Sequence, residues 1–458
     1  MDVSSESVPT SCDVVVIGGG PAGSLSATFL RQKGYDVVLF DKERHPRYHV
    51  GESVIPHIWK YCEMAGVADE IAAEGFIQKS GGTTIWNGVI RQMSFSSFGY
   101  DRPALHVERD RFDYILLENA RRHEARIFER MAVLQVEFGD GTRPVVEYRD
   151  VESGDMGRVA CRFVVDCTGQ NTVVGKQLDL RYIDEGFRFM SVWGYFKDSK
   201  YVAQRGEVHP FADLRTVPPT TFVSSLDAVG DWGWSWHIPM RESTSVGLVV
   251  PLAQLQASKM AGGNLESYLL ETCERTPFLN QLLDGASFIA GSTVTCRDYS
   301  YRMKQLAGPG YFLAGDASGF IDPIFSVGCL LAMYTAKIAS WAIDNAFRDP
   351  SSAERYQRLY AKQLEGRIEV SRQLALPQYE STGRSSEMAR KSVRFESRFE
   401  QELMYVVSTM TTRGSNLVDM VGRRDGSKVE VAEERFQTLE RLTFPAELAT
   451  KGQGILRN

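Results

Sequence analysis

Apolar and polar positions along the chain follow two different periods, and the first segment with a clear pattern lies near the start. Asp13-Val14-Val15-Val16-Ile17 is a short β-branched run, which predicts a buried parallel strand. It leads directly into Gly18-Gly19-Gly20-Pro21-Ala22-Gly23. Ser24 to Lys33 follows with helical spacing and stops at Gly34, and Val37-Val38-Leu39-Phe40 forms a second apolar strand ending at Asp41. The order strand, glycine turn, helix, strand, acid is that of one βαβ unit. Further strands are predicted at Cys161 to Asp166, Trp234 to Pro239, Ser245 to Pro251 and Tyr311 to Gly315. The second and third of these are apolar and aromatic and sit between turn signals, which suits a separate antiparallel sheet. A long helical pattern runs from Val327 to Phe347. Beyond Pro350 the chain turns amphipathic, with Tyr356, Leu359, Tyr360 and Leu364, and later Phe395, Phe399, Leu403 and Val407, at helix spacing. Pro377 and the glycines near Gly414 and Gly426 punctuate this tail, which is expected to cap a substrate pocket.

Composition narrows the class. The chain has 458 residues, which at about 150 per domain suggests two or three domains. Its 43% apolar and 24% charged residues exclude global disorder and fibrous repeats. A balance of 52 basic against 58 acidic residues, net −6, excludes a globally basic nucleic-acid binder. No charge-free apolar window is long enough for a membrane span, and the polar start MDVSSESVPTSCD has no signal-peptide core. Seven scattered cysteines without a CxxC pair point to a reducing, cytoplasmic compartment. No spacing of His, Cys or carboxylates suits a metal.

Chemistry enters with the glycines. Gly18, Gly20 and Gly23 fit GxGxxG: the first permits the tight turn, the second lets backbone approach a pyrophosphate, and the third lets helix and strand pack closely. Pro21 and Ala22 open the helix whose free amides would face the phosphates. Asp41 lies 18 residues after Gly23, where an acid meets a ribose hydroxyl, and Asp41 and its neighbour Lys42 are expected to contact the cofactor. Strand, glycine turn, helix and acid together predict an adenine-dinucleotide site rather than a plain glycine-rich turn. Tyr311-Phe312-Leu313-Ala314-Gly315-Asp316-Ala317 resembles the second flavin fingerprint of hydroxylase-like FAD proteins, in which the acid (here Asp316) contacts the ribityl chain. The segments around Arg109 and around Gly169 resemble FAD-contacting segments of the same group. The resemblance favours FAD over NAD, and no second GxGxxG marks a nicotinamide site.

Trp232-Gly233-Trp234-Ser235-Trp236-His237-Ile238-Pro239 holds three of the seven tryptophans, and on a strand Trp232, Trp234 and Trp236 point to one face. Trp234-x-Trp236-x-Ile238-Pro239 resembles the WxWxIP signature of flavin-dependent halogenases. The resemblance implies a wall between flavin and organic substrate, so that a flavin hydroperoxide cannot hydroxylate the substrate directly. Phe320-Ile321-Asp322-Pro323-Ile324-Phe325-Ser326-Val327-Gly328 resembles a second element of that family, and implies a halide held by backbone N–H groups at Ser326, Val327 and Gly328. Lys79, followed by Gly81, Gly82 and Trp86, matches the family lysine that presents an electrophilic halogen to the substrate. Gly51-Glu52-Ser53 resembles the strap that links flavin and halide regions. Phe325 stands where tryptophan-type halogenases carry a catalytic glutamate, which favours a phenolic or pyrrolic ring.

The resemblance thus implies an α/β fold: a Rossmann-like FAD-binding domain of the hydroxylase type (residues 1–84, 106–180 and 291–348), an antiparallel-sheet substrate domain (85–105 and 181–290) and a helical C-terminal region (349–458). It implies reduced FAD (FADH2), dioxygen, and chloride or bromide. It also implies a separate NAD(P)H-dependent flavin reductase and a small aromatic substrate, free or tethered to a carrier protein. Hypohalous acid would pass from the flavin to Lys79, and His49, His106 and His237 are candidates for the base that removes the ring proton. An aromatic hydroxylase on the same fold is the nearest alternative, and a prenyl-chain reductase or a non-catalytic flavin-binding scaffold are more distant ones. The tryptophan wall and Lys79 argue against the hydroxylase.

Overall fold

The computed structural model describes residues 7–380, apart from the short internal segments 87–88, 96–101, 140–142, 184–187, 227–232, 253 and 257–263. Trp232 and the helical pattern from Phe395 onward lie outside the described residues. The fold is mixed α/β. Its centre is a six-stranded sheet in which Tyr311–Leu313, Phe163–Asp166, Val14–Ile17, Val37–Asp41 and Arg126–Glu129 run parallel in that order, with Ala307–Gly308 antiparallel at the edge. A helix packs against this sheet on one side, and a three-stranded antiparallel sheet of Met131–Glu137, Val145–Asp150 and Met156–Ala160 adds Val136, Val146 and Val159 to its core and stacks Tyr148 on Phe40, so its strands are continuous apolar runs, and Val14–Ile17 and Val37–Asp41 are buried throughout.

The first helix spans Pro21–Arg31, starting ahead of the expected Ser24 because extended Gly20 caps it and Pro21 supplies a φ already suited to a first helical turn. Every residue from Pro21 to Leu30 is buried, and the 21-residue helix Gly328–Arg348 packs across it. The strand expected over Tyr311 to Gly315 ends at Leu313, where Gly315 turns to positive φ.

The second large sheet has eight strands. Seven run in the order Ser287–Phe288, Phe189–Lys197, Thr244–Pro251, Trp234–Pro239, Thr220–Ser225, Gly81–Trp86 and Val89–Ser94, and Val294–Arg297 pairs with Phe189–Lys197. All pairings are antiparallel except Thr220–Ser225 with Gly81–Trp86. The sheet therefore starts at Gly81 and ends at Arg297, wider than the 85–290 limits read from sequence. Its two faces bury different partners. Trp193, Val223, Trp234, Trp236 and Ile238 join the core of the six-stranded sheet, while Val192, Phe222, Val246 and Leu248 pack with the helices Leu265–Arg275 and Pro277–Leu282. The alternation along Trp234–Pro239 thus turns both described tryptophans of the motif toward the first body.

A small sheet of Ser53–Val54, Ala104–His106 and Ile77–Lys79 bridges the two bodies. The helix Ala353–Glu380 docks on the edge of the six-stranded sheet, where Tyr360 Oη donates to the Leu313 carbonyl at 2.5 Å and Gln357 Nε2 to that of Gly308 at 2.7 Å. This part of the tail covers the first body, whose core its buried residues Tyr360 and Leu364 complete. No described helix is long and apolar enough to cross a membrane.

Candidate active site

The glycine turn is a cradle made by the absence of side chains. Gly18 has φ +102°, and a Cβ there would sit 2.5 Å from the Cys167 carbonyl oxygen. A Cβ on Gly23 would lie 1.7 Å from the Gly18 carbonyl oxygen, so helix and strand touch at that point. Among the described residues the N–H groups of Ala22 and Gly23 meet no acceptor, as expected for a first helical turn. Asp41 is buried and braces the turn: Oδ2 accepts from Gly19 N at 2.6 Å and Oδ1 from Glu43 N at 2.8 Å. Arg47 reaches over Gly20, where a Cβ would come within 3.4 Å of its guanidinium. Lys42 is exposed and pairs with neighbouring Glu43 at 3.5 Å.

Three further segments face the same space. Arg109 forks onto Asp113 through Nε at 2.8 Å and Nη2 at 3.0 Å, and its Nη1 donates to the Val50 carbonyl at 2.6 Å. The ion pair is fully desolvated and holds the strap by its backbone. Asp113 lies one helical turn after Arg109, a pairing the i,i+4 spacing would have revealed. Gly169 has φ +60° and open space above it. The carboxylate of Asp316 has no hydrogen-bond donor among the described residues, and burial raises its pKa to about 6 against the pull of Arg109. A backbone cradle with free amides, an arginine-held strap and an unpartnered carboxylate fit the pyrophosphate and hydroxylated chain of FAD.

On the far side of the strap stands the aromatic wall. The ring centroids of Trp234 and Trp236 lie 6.0 Å apart, and those of Trp193 and Trp236 6.1 Å. The Trp236 ring lies over Gly247, where a Cβ would come within 2.2 Å of it. Glu52 ties strap to wall: Oε1 accepts from Tyr195 Oη at 2.6 Å, and Oε2 from Ser245 Oγ at 3.4 Å. Ser245 in turn accepts from Trp236 Nε1 at 3.1 Å, while Tyr48 Oη accepts from Trp193 Nε1 at 2.7 Å. Burial raises the pKa of Glu52. Tyr48, Trp193 and Tyr195 were not found from sequence, since nothing local marks them.

Lys79 is 3% exposed. In the small sheet Ser53 lies opposite His106 and Lys79 opposite Ala104, so Ser53, His106 and Lys79 share one face. Thr221 of the large sheet, on the same face as Val223, closes over them. Lys79 Nζ donates to Ser53 Oγ at 2.6 Å and Thr221 Oγ1 at 3.1 Å, and sits 5.5 Å from the Phe95 ring centre. With no carboxylate among the described residues to pair it, burial lowers its pKa from 10.5 to about 7. Directly after it, Ser80 N donates to the Pro219 carbonyl at 2.8 Å and the chain enters the large sheet at Gly81.

The turn before the long helix reaches this cluster. Asp322 Oδ1 caps Ile324 N at 2.9 Å, Ser326 adopts a left-handed φ of +57°, and the helix starts at Gly328. Ser326 Oγ donates to Ser53 Oγ at 2.9 Å. The N–H groups of Val327 and Gly328 meet no acceptor among the described residues. Phe325 is buried in the shared core.

The three histidines separate. His49 is exposed and meets the neighbouring Val50 carbonyl. His237 pairs with Phe222 and so lies on the opposite face of the sheet, toward the helices. Among the described residues neither of its ring nitrogens has a partner, and burial lowers its pKa to about 3. Its position removes it as a base for this cavity. His106 lies within the cluster, with Nδ1 2.8 Å from the Pro239 carbonyl and Nε2 2.8 Å from Thr221 Oγ1. Among the described residues no cluster of three His, Cys, Asp or Glu side chains is placed to hold a metal.

A family profile described as the FAD binding domain matches residues 11–363. The chain is 34% identical over 360 residues to the tryptophan 2-halogenase of Chondromyces crocatus, covering 77% of this chain and 66% of that protein. It is 31% identical over 374 residues to the flavin-dependent halogenase armH3 of Armillaria mellea, covering 78% and 72% respectively. The solved structure of CmlS, a flavin-dependent halogenase, superposes with a TM-score of 0.75 at 27% identity, covering 94% of this chain and 78% of that one. The chain spans about two thirds of the length of the curated relatives it matches. With its cradle, strap and wall in this arrangement, the chain belongs to the FAD-binding-domain family and to the flavin-dependent halogenases.

Proposed function

We propose that this protein is an FADH2-dependent halogenase that chlorinates or brominates an electron-rich aromatic ring, with Lys79 as the catalytic residue. The observation that carries this reading is the contact of Ser326 with Ser53, which joins the turn bearing the free amides of Val327 and Gly328 to the buried amine by one shared hydroxyl. Gly18, Gly20, Pro21, Ala22, Gly23, Asp41, Gly51, Arg109, Gly169 and Asp316 would hold the flavin. With dioxygen, the reduced flavin supplies the two-electron oxidation that turns halide into hypohalous acid.

The chain's own residues do the rest. The amides of Val327 and Gly328 bind the halide, since free N–H groups at a helix start favour an anion. Trp234, Trp236, Ile238 and Pro239 keep the organic ring off the flavin. Lys79 then offers an N–H to hypohalous acid or, in the neutral form that burial makes accessible near pH 7, its nitrogen. Phe325, apolar and buried, offers no carboxylate to assist an unactivated ring, which supports a phenolic or pyrrolic substrate. That substrate is free or carrier-tethered, a separate reductase supplies FADH2, and the seven unpaired cysteines favour the cytoplasm.

The test combines the protein with FAD, a flavin reductase, NADH and bromide or chloride on phenol, pyrrole and tryptophan probes, read by mass. A halogen isotope pattern is expected with native protein. Lys79→Ala should still oxidise reduced flavin yet give no halogenated product. A mass gain of one oxygen would instead mark a hydroxylase, and halogenation by Lys79→Ala would remove the lysine from the chemistry.

A further inference from the structure

Every proton in the Lys79 cluster has a direction, and one carbonyl sets it. The Pro239 oxygen can only accept, so the 2.8 Å contact fixes the hydrogen of His106 on Nδ1. The imidazole is wholly buried beside the Lys79 ammonium, which keeps it neutral, and Nε2 is then an acceptor. Thr221 has one hydroxyl hydrogen and must spend it on Nε2, 2.8 Å away. Its oxygen therefore turns its lone pairs to Lys79 at 3.1 Å and to Ser53 at 3.0 Å. Ser53 in turn donates to Thr221, leaving its own lone pairs for Lys79 and for Ser326. Two acceptors thus converge on an amine that no carboxylate among the described residues holds.

We propose that His106 and Thr221 are positioning residues for Lys79: the imidazole, held in one tautomer by the Pro239 carbonyl, orients the Thr221 hydroxyl so that its lone pairs aim the amine into the halogenating cavity. This rests on Lys79 being the catalytic residue. It also changes the part His106 plays, because both of its nitrogens are committed and neither is free to remove a ring proton. The end of the tryptophan motif then serves the lysine through its backbone, separately from the wall its side chains form.

The variants Thr221→Val, Thr221→Ser, His106→Gln and His106→Asn, with the double variant His106→Asn/Thr221→Val, test this. The readout is halogenated product per reduced flavin oxidised, on a phenol that the native holoenzyme halogenates. Bound-flavin absorbance and melting temperature serve as folding controls. Thr221→Val should lose about tenfold and Thr221→Ser should stay within about twofold of native. Glutamine places an acceptor oxygen where Nε2 was, whereas asparagine reaches only the Nδ1 position, so Gln should preserve product and Asn should lose about tenfold. If His106 acts through Thr221, the double variant is no worse than Thr221→Val alone, within about twofold. A multiplied loss of about a hundredfold in the double variant, or native product from Thr221→Val, overturns the inference. If a His106 variant does not fold, the Val and Ser pair at Thr221 decides it alone. Product from Lys79→Ala would sink the underlying reading, whereas a dead Lys79→Ala beside a fully active Thr221→Val sinks only this one.

Discussion

The flavin cradle and the lysine cluster lie on either side of one strap and are built on opposite principles. The cradle is main chain. Its recognition groups are amides, its working surface exists because Gly18 and Gly23 lack side chains, and its parts lie within a few residues of one another. The cluster is side chain. Ser53, Lys79, His106, Thr221 and Ser326 come from five separate segments, and its working surface is a set of hydroxyls with fixed directions. An amide cradle tolerates many sequences provided the glycines stay, because it asks only for backbone shape. A cluster of crossed hydroxyls depends on every member, because each proton is spent once.

That contrast can be broken at the glycines first. Gly23→Ala puts a methyl 1.7 Å from the Gly18 carbonyl and must part helix from strand. We expect protein purified without flavin and a melting temperature lower by many degrees, checked by visible absorbance and calorimetry.

The lysine side gives the next largest effect, with the opposite sign. Lys79 is buried with its pKa lowered from 10.5 to about 7, so below pH 7 the folded chain carries a desolvated charge that the unfolded chain does not. Between pH 7 and 10.5 the unfolded chain binds the extra proton and native stability rises with pH. Lys79→Met, which leaves Ser53, Thr221, His106 and Ser326 bonded to one another, should therefore be more stable than native at pH 6. The gap, on the order of 2–4 kcal/mol, should close as pH approaches 10, as melting curves across that range would show. A native protein that is the more stable at pH 6 would mean that the amine is not desolvated.

A smaller effect lies at the wall. Gly247→Ala would press a methyl into the Trp236 ring, costing about 1–3 kcal/mol and lowering product per flavin oxidised, measured by denaturant titration and by mass. Least of all, Lys42→Ala removes an exposed pair with Glu43 and should change stability by less than about 0.5 kcal/mol and leave flavin retention unaltered, read by titration with FAD. A large loss there would move a cofactor contact onto the surface of the cradle.

The same contrast explains what could be read from the sequence. The strand at Val14, the glycine turn, Asp41 and the strand Trp234–Pro239 were legible because backbone geometry demands particular residues at short spacing. Lys79 was legible only through resemblance, since one lysine in a polar stretch has no local signature. Thr221 had none at all: it matters because a parallel pairing sets it over a residue more than a hundred positions earlier. The helix start at Pro21 and the docking of Ala353–Glu380 were missed for a simpler reason, that capping and tertiary packing override the periodic pattern.

Lys79 closes one strand, Ser80 is pinned to Pro219, and Gly81 opens a strand of another sheet. The Lys79 amine therefore stands at a joint rather than inside either body, and its coordinates are a shared property of both. Substitutions remote from the cavity would then tune turnover or site preference without altering a single residue that meets the substrate, and a search for improved variants would find them scattered along the line where the two bodies meet.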